Sequence, residues 1–126
     1  MTVDDLGLYQ ELLLDHYKNP RHYGALDNPT FISEEYNPSC GDKIELYAII
    51  SDSIIRKIGF VSEGCIISKS VASILAEKAV GTSVAQALSW DKNTILSWLN
   101  NINLGPTRLR CALMALEALQ AGLKKC

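Results

Sequence analysis

The sequence predicts an α+β fold, in which one helix is followed by a small antiparallel sheet and then by several helices packed on it. Two observations lead to this prediction. Strict alternation of apolar and polar residues is confined to the middle of the chain, whereas apolar residues before and after it recur with the period of a helix. At 126 residues the chain has the length of one domain with its own hydrophobic core, so we expect residues 1–126 to form a single domain.

The first element is a helix, predicted over residues 3–18 and ended by Asn19 and Pro20. Four residues of this segment recur at helical spacing: Leu6, Tyr9, Leu13 and Tyr17. Residues 19–42 contain three of the four prolines and two of the eight glycines. We therefore expect mostly loop there, with one short strand over Phe31 to Tyr36.

The centre of the chain predicts a β-hairpin. Apolar residues at every second position, from Ile44 to Ile50, indicate a half-buried strand. Ser51-Asp52-Ser53 predicts a turn, and Ile54 to Val61 is predicted to be the partner strand.

Helices are predicted from Ile66 onwards. The first ends at Gly81, which places Cys65 at its N-terminal edge. Two shorter helices are predicted over 82–88 and 91–100. After Gly105 and Pro106 a last helix is predicted from about residue 107 to 123, with Cys111 in its first turns.

The overall composition excludes some classes of function. A formal net charge of -2, a pI near 5.6 and scattered basic residues argue against a nucleic-acid-binding protein. No apolar run approaches the roughly 20 residues that a membrane-spanning helix needs. The first five residues, Met1 to Asp5, are acidic where a secretory signal would be basic. We therefore expect a cytoplasmic protein without a membrane partner.

The four cysteines lack the regular spacing of a disulfide framework, which favours reduced thiols used for metal binding or sulfur chemistry. Cys40, Asp42, Cys65 and Cys111 are candidates for one shared site, which only the fold could assemble. Three thiolates and one carboxylate suit tetrahedral zinc or one edge of an iron-sulfur cluster. The alternative is that Cys65 and Cys111 are simply small buried residues.

Four short motifs, in order along nearly the whole chain, resemble the iron-sulfur cluster assembly proteins of the IscU and SufU type, which also occur as the N-terminal domain of NifU. They are Asp15-His16-Tyr17-Lys18-Asn19-Pro20-Arg21 with Gly24, Asn37-Pro38-Ser39-Cys40-Gly41-Asp42, Glu63-Gly64-Cys65, and Arg108-Leu109-Arg110-Cys111-Ala112. This resemblance implies a SufE/NifU-like fold with a three-stranded antiparallel sheet and about five helices. It also implies that Cys40, Asp42, Cys65 and Cys111 are the ligands.

The resemblance further implies a scaffold rather than an enzyme. Such a scaffold accepts persulfide sulfur from a cysteine desulfurase, assembles a transient [2Fe-2S] cluster with iron, and transfers it to apo iron-sulfur proteins. By analogy Cys111 is the first sulfur acceptor. In the alternative, a SufU-like sulfurtransferase, Zn²⁺ occupies the same four ligands, Cys40 accepts the sulfur and no cluster is held. The resemblance also allows a homodimer, because Tyr9 falls where the family has a tyrosine implicated in self-association, although its helical spacing equally suits a core contact.

The chain combines features of both branches. IscU proteins typically have histidine directly before the last cysteine, whereas this chain has Arg110. SufU proteins carry an insertion of roughly twenty residues between the second and third cysteines, for which this chain has no room. Arg110 cannot ligate a metal because guanidinium stays protonated, but it could offset thiolate charge, pair with Asp42, or be a solvated helix residue.

Overall fold

The computed structural model describes the backbone of residues 3–38 and 41–126, and the side chains of these residues from Glu11 onwards. Within this part the chain forms five helices and three strands, so the predicted α+β class is confirmed. In chain order they are α1 (Val3–Lys18), β1 (Phe31–Asn37), β2 (Asp42–Ser51), β3 (Ile54–Glu63), α2 (Ile66–Ala79), α3 (Val84–Ser89), α4 (Lys92–Trp98) and α5 (Pro106–Lys124). None of the described helices is both long and apolar enough to cross a membrane.

The three strands form an antiparallel sheet in the order β1-β2-β3. In this register Asn37 pairs with Asp42, and the neighbouring Lys43 pairs with Glu63. The end of β1, the start of β2 and the end of β3 therefore meet at one end of the sheet. Because Cys65 follows β3 after a single glycine, the register brings it to the same end as Asp42.

The hydrophobic core lies between one face of the sheet and the helices α2 and α5. Alternate residues of β2 from Asp42 to Ala48 are buried, as the predicted alternation requires. Both helices pack against the sheet and against each other. Cys111 belongs to the buried side of α5, in the second turn of that helix. The core thus presents this thiol beside the end of the sheet where Asp42 begins β2.

The short helices begin later than the sequence predicted, because Ser83 and Asp91, which the prediction placed inside them, are N-terminal caps. The Ser83 side chain accepts a hydrogen bond from the Gln86 N–H, and α3 starts at residue 84. Asp91 and Thr94 form a capping box at the start of α4. Pro106 is the first residue of α5 rather than a residue before it, since the first helical position needs no N–H donor.

Residues 19–30 are mostly loop, as predicted, but part of this segment lies along the free edge of β3. The Gly24 N–H donates to the Phe60 carbonyl at 2.7 Å, and the Phe60 N–H donates to the His22 carbonyl at 3.2 Å. Tyr23 and Phe60 form an isolated parallel bridge, and their rings meet edge to face. A side chain on Gly59 would overlap the Gly24 carbonyl, so the close approach requires glycine at position 59.

Candidate metal centre

Three of the four predicted site residues converge at the end of the sheet. The ligand atoms of Asp42, Cys65 and Cys111 all lie within 4.8 Å of one another. Each comes from a different element, because Asp42 begins β2, Cys65 caps α2 and Cys111 lies in α5. Cys40, the fourth predicted ligand, lies outside the described residues.

Asp42 is almost fully buried, at 1% exposure, and its carboxylate contacts Cys65 twice. Oδ1 accepts a hydrogen bond from the Cys65 N–H at 3.1 Å, and the Cys65 Sγ lies 3.3 Å from Oδ2. The turn before Asp42 is closed by the Gly41 N–H, which donates to the Asn37 carbonyl at 2.9 Å. Gly41 has a φ of 74°, so it adopts the conformation that favours glycine at this turn. Asp42 therefore joins the start of β2 to the start of α2.

Gly64 makes this arrangement possible. Its φ is 144°, which side-chain-bearing residues rarely adopt, and a Cβ built on it would overlap the Asp42 carboxylate. In the structure the group that approaches Gly64 is the side chain of Asp42.

The two described thiols of the site differ in exposure. Cys65 lies at the surface, whereas Cys111 is 3% exposed. Ser68 lies next to Cys65, with its Oγ 3.8 Å from the Cys65 Sγ, and its hydroxyl donates to the Cys65 carbonyl at 3.1 Å. Sequence reasoning missed Ser68. Its position three residues after the N-terminal cap of a helix is the signal that could have found it.

Arg110 and His16 do not join the site. Arg110 is exposed, and the ion pairs among the described residues do not include one between Arg110 and Asp42. His16 is buried at 5% exposure, and its Nδ1 lies 2.7 Å from the Ser73 Oγ. His16 therefore belongs to the contact between α1 and α2.

The geometry suits a soft metal ion. A zinc ion bound to sulfur at about 2.3 Å in a tetrahedron keeps its sulfur ligands roughly 3.8 Å apart. The present limit of 4.8 Å is about 1 Å wider, so small side-chain movements would close the group around an ion. Two thiols favour zinc or iron over calcium or magnesium, which prefer oxygen ligands.

Fold and site together define a small α+β protein that brings two thiols and a carboxylate to one end of a three-stranded sheet. Residues 8–126 match the family described as the NifU-like N-terminal domain. The chain therefore belongs to this family, and the resemblance noted in its motifs is confirmed.

Curated relatives fall on both branches of the family. The zinc-dependent sulfurtransferase SufU of Bacillus subtilis is 34% identical, over 94% of this chain and 90% of the relative. The iron-sulfur cluster assembly scaffold protein IscU of Thermotoga maritima is 32% identical, over 94% of each chain. These alignments run over 136 and 133 positions, more than the 126 residues of this chain, so both relatives carry residues that it lacks.

A solved structure supports the fold. The crystal structure of a hypothetical protein superposes with a TM-score of 0.80 at 27% identity, covering 94% of this chain and 98% of the other. The predicted sheet with packed helices is therefore an arrangement that this chain shares with an experimentally determined structure.

Proposed function

We propose that this protein is an iron-sulfur cluster scaffold, which accepts sulfur from a cysteine desulfurase and assembles a [2Fe-2S] cluster for transfer to apo-proteins. The observation that supports this most directly is the convergence of Asp42, Cys65 and Cys111 within 4.8 Å in a member of the NifU-like family. Cys40 is the proposed fourth ligand, since it lies two residues before Asp42. We also propose that residues 1–126 act as one domain, located in the cytoplasm, where thiols stay reduced.

In the proposed sulfur transfer, a thiolate of this chain attacks the outer sulfur of the desulfurase persulfide. The sulfur–sulfur bond of that persulfide breaks, the desulfurase thiol is released, and a new persulfide forms on this chain. Cys111 and Cys40 remain the predicted acceptors. Because Cys65 is exposed and Cys111 is only 3% exposed, Cys65 is the more accessible of the two described thiols of the site. Acceptance by Cys111 therefore requires an opening of the site.

Iron and sulfide are the cargo of this site, and an external electron donor would supply the two electrons that reduce each persulfide sulfur to sulfide. The cysteine sulfurs would bind iron firmly, and the Asp42 carboxylate, a harder ligand, would form the weaker bond that breaks during transfer. The contacts of Asp42 support this role. Its Oδ1 accepts the Cys65 N–H and its Oδ2 lies 3.3 Å from the Cys65 sulfur, so the carboxylate is held beside a thiol of the proposed site.

The test is anaerobic reconstitution with iron and sulfide, followed by measurement of iron, zinc, acid-labile sulfide and visible absorption. The wild-type protein should contain iron and sulfide in equal amounts and show thiolate-to-iron charge transfer. Cys65→Ser and Cys111→Ser should each lose most of the cluster. Cys126→Ser is the matched control, because Cys126 is an exposed thiol whose sulfur contacts the Gly122 carbonyl in the last turn of α5. Equal cluster content in all three variants would contradict the proposed site.

A zinc-dependent sulfur relay is the second candidate. It is favoured by similarity to the Bacillus subtilis protein named a zinc-dependent sulfurtransferase, and by a ligand group that suits tetrahedral zinc. In this case zinc would order the site, and one cysteine would leave the metal to attack the persulfide. A protein that retains only zinc after reconstitution, yet stimulates its cysteine desulfurase, would support the relay over the scaffold. Absence of both cluster and stimulation would leave only a structural metal.

A further inference from the structure

Ser68 is a buried hydroxyl beside the exposed thiol of the site. Its residue is 6% exposed, and its Oγ lies 3.8 Å from the Cys65 Sγ and 3.1 Å from the Cys65 carbonyl oxygen. The hydroxyl has one proton and two acceptors within reach, so rotation about a single side-chain bond decides which of them receives it.

The carbonyl does not depend on this hydroxyl. The Cys65 carbonyl also accepts the Lys69 N–H at 3.3 Å, as the first turn of α2 requires. If Ser68 turned its proton to the sulfur, the carbonyl would therefore keep a backbone donor. No buried acceptor would be left without a hydrogen bond by the change.

The Cys65 sulfur, in contrast, needs a hydrogen-bond donor once it binds metal or carries a second sulfur. As a thiol, Cys65 can donate its own proton to the Asp42 Oδ2 at 3.3 Å. A sulfur that binds metal or carries a second sulfur has no such proton and becomes an acceptor, and the Asp42 carboxylate cannot donate to it. Among the residues that the structure describes, Ser68 is the side-chain hydroxyl within hydrogen-bonding reach of this sulfur.

We propose that Ser68 is a positioning residue, which donates a hydrogen bond to the Cys65 sulfur when that sulfur binds metal or persulfide sulfur. The inference rests on the proposed function of the site. Hydrogen bonds to a metal-bound sulfur withdraw electron density from it, which tunes the metal and lowers the reactivity of the sulfur. Ser68 therefore keeps the exposed ligand from reacting before a partner arrives.

Ser70 supplies a matched control two residues along α2. It is fully buried, and its hydroxyl donates to the Leu13 carbonyl at 2.7 Å, so its role is to join α1 to α2. Ser68→Ala and Ser70→Ala remove the same group from the same helix. They differ in whether the hydroxyl reaches the sulfur.

The first readout is the absorption spectrum of the Co²⁺-loaded protein. The energy of its sulfur-to-cobalt charge-transfer band reports the electron density on the cysteine sulfurs. Ser68→Ala should move this absorption to lower energy while the ligand-field bands still indicate a tetrahedral site. The second readout is alkylation of the zinc-loaded protein by iodoacetamide, with the modified peptide identified by mass spectrometry. Cys65 should react severalfold faster in Ser68→Ala. Ser68→Thr, which retains the hydroxyl, should restore both values.

Unchanged charge transfer and alkylation in Ser68→Ala would overturn the inference while leaving the proposed function intact. Equal changes in Ser70→Ala would overturn it as well, because the effect would then follow from the stability of the helix. A wild-type protein that binds neither Co²⁺ nor Zn²⁺ would overturn the metal site together with the inference.

Discussion

The contact between α1 and α2 and the candidate metal centre both bury polar side chains against α2, yet they do so differently. At the first, Ser73 Oγ lies 2.7 Å from His16 Nδ1 and accepts the Arg21 N–H at 2.7 Å. At the second, Asp42 is buried but its partner thiol, Cys65, reaches the surface. Buried polar groups whose hydrogen bonds are all made inside the protein join helices to each other. A buried carboxylate beside an exposed thiol can instead act together with that thiol on a ligand.

The comparison also separates two motifs that are equally prominent in the sequence, the segment from Asp15 to Arg21 and the segment that contains Asp42. The first of them has a structural role. Arg21 forms an ion pair with Asp15 at 2.6 Å and donates to the Asn19 carbonyl at 3.1 Å, which fixes the exit of the chain from α1. The Asp15 carboxylate has a lowered pKa, chiefly because it accepts this hydrogen bond from Arg21. A family motif thus marks either architecture or chemistry, and the contacts decide which.

The largest effect is expected from Gly64→Ala at the candidate metal centre. The added Cβ would displace the Asp42 carboxylate and the backbone would be strained, so zinc affinity should fall roughly tenfold or more and stability by about 1–3 kcal/mol. Competition with a chromogenic chelator measures the affinity. Gly81→Ala is the control, because Gly81 also has a positive φ, of 89°, but has open space around its Cβ position. Equal loss of zinc affinity in both variants would show that crowding of Asp42 is irrelevant.

Asp42→Ala tests the same region by removing the carboxylate itself. If this ligand forms the bond that breaks first, transfer of the cluster to an apo-protein should slow severalfold. Transfer kinetics followed by visible circular dichroism give the rate. Asp42→Asn separates the two roles of the side chain, since its carbonyl can still accept the Cys65 N–H while its charge is gone. An unchanged transfer rate in Asp42→Ala would rule out the labile-ligand role.

His16 should make the contact between α1 and α2 sensitive to pH. Burial, and secondarily repulsion by Arg21, lower the pKa of His16 below its usual 6.5, while Glu77 and Asp15 oppose this shift. As pH falls below 6.5, His16 binds a proton in the unfolded chain but still lacks it in the folded protein, where its pKa is lower. Stability should therefore fall, by up to about 1 kcal/mol between pH 6.5 and 5.5.

Urea unfolding at pH 7.5 and 5.5 measures this loss, and in His16→Gln the loss should be smaller. Glu117 acts in the opposite direction, because burial raises its pKa and its protonation relieves a folded-state penalty as pH falls. It is present in both proteins, so its contribution cancels in the difference. The same loss in His16→Gln as in the wild type would exclude His16 as the source.

The smallest effect is expected from Lys69→Met. Lys69 lies on α2, between the contact with α1 and the candidate metal centre. The Lys69 ammonium lies 5.2 Å from the ring centre of Tyr17 and 4.9 Å from that of Tyr23. Loss of these cation-π contacts should lower the free energy of unfolding by about 0.5–1 kcal/mol, with zinc affinity unchanged. Chemical denaturation and chelator competition measure the two quantities, and Lys69→Arg should retain most of the stability. A large change in zinc affinity would instead connect Lys69 to the site.

The long elements could be predicted from the sequence because their period is set by burial on one face. The limits of α1 agree with the prediction, and those of β2 and β3 extend it by one or two residues at their ends. Caps were less predictable, since Ser83 and Asp91 can belong to a helix or precede it until their hydrogen bonds are known. Pro106 illustrates the same ambiguity, because proline both ends helices and begins them.

The site was predictable in part. Spacing alone could not bring Cys65 and Cys111 together, because 45 residues and three helices separate them along the chain, and the motifs supplied that step. The motifs could not reveal that the Asp42 carboxylate is held by the Cys65 backbone, or that Ser68 faces the sulfur. These contacts depend on how β2 and α2 meet, which is a tertiary property.

Residues 22–24, which lie along β3, also determine where a second chain could extend the sheet. Their hydrogen bonds cover part of the β3 edge, so among the described strands β1 offers the open edge. Glu34 and Glu35 lie in the middle of that strand, and like charges brought together discourage two copies from pairing there. Pairing of two copies through the β1 edge is thereby disfavoured, so any contact between copies of this chain would use another surface.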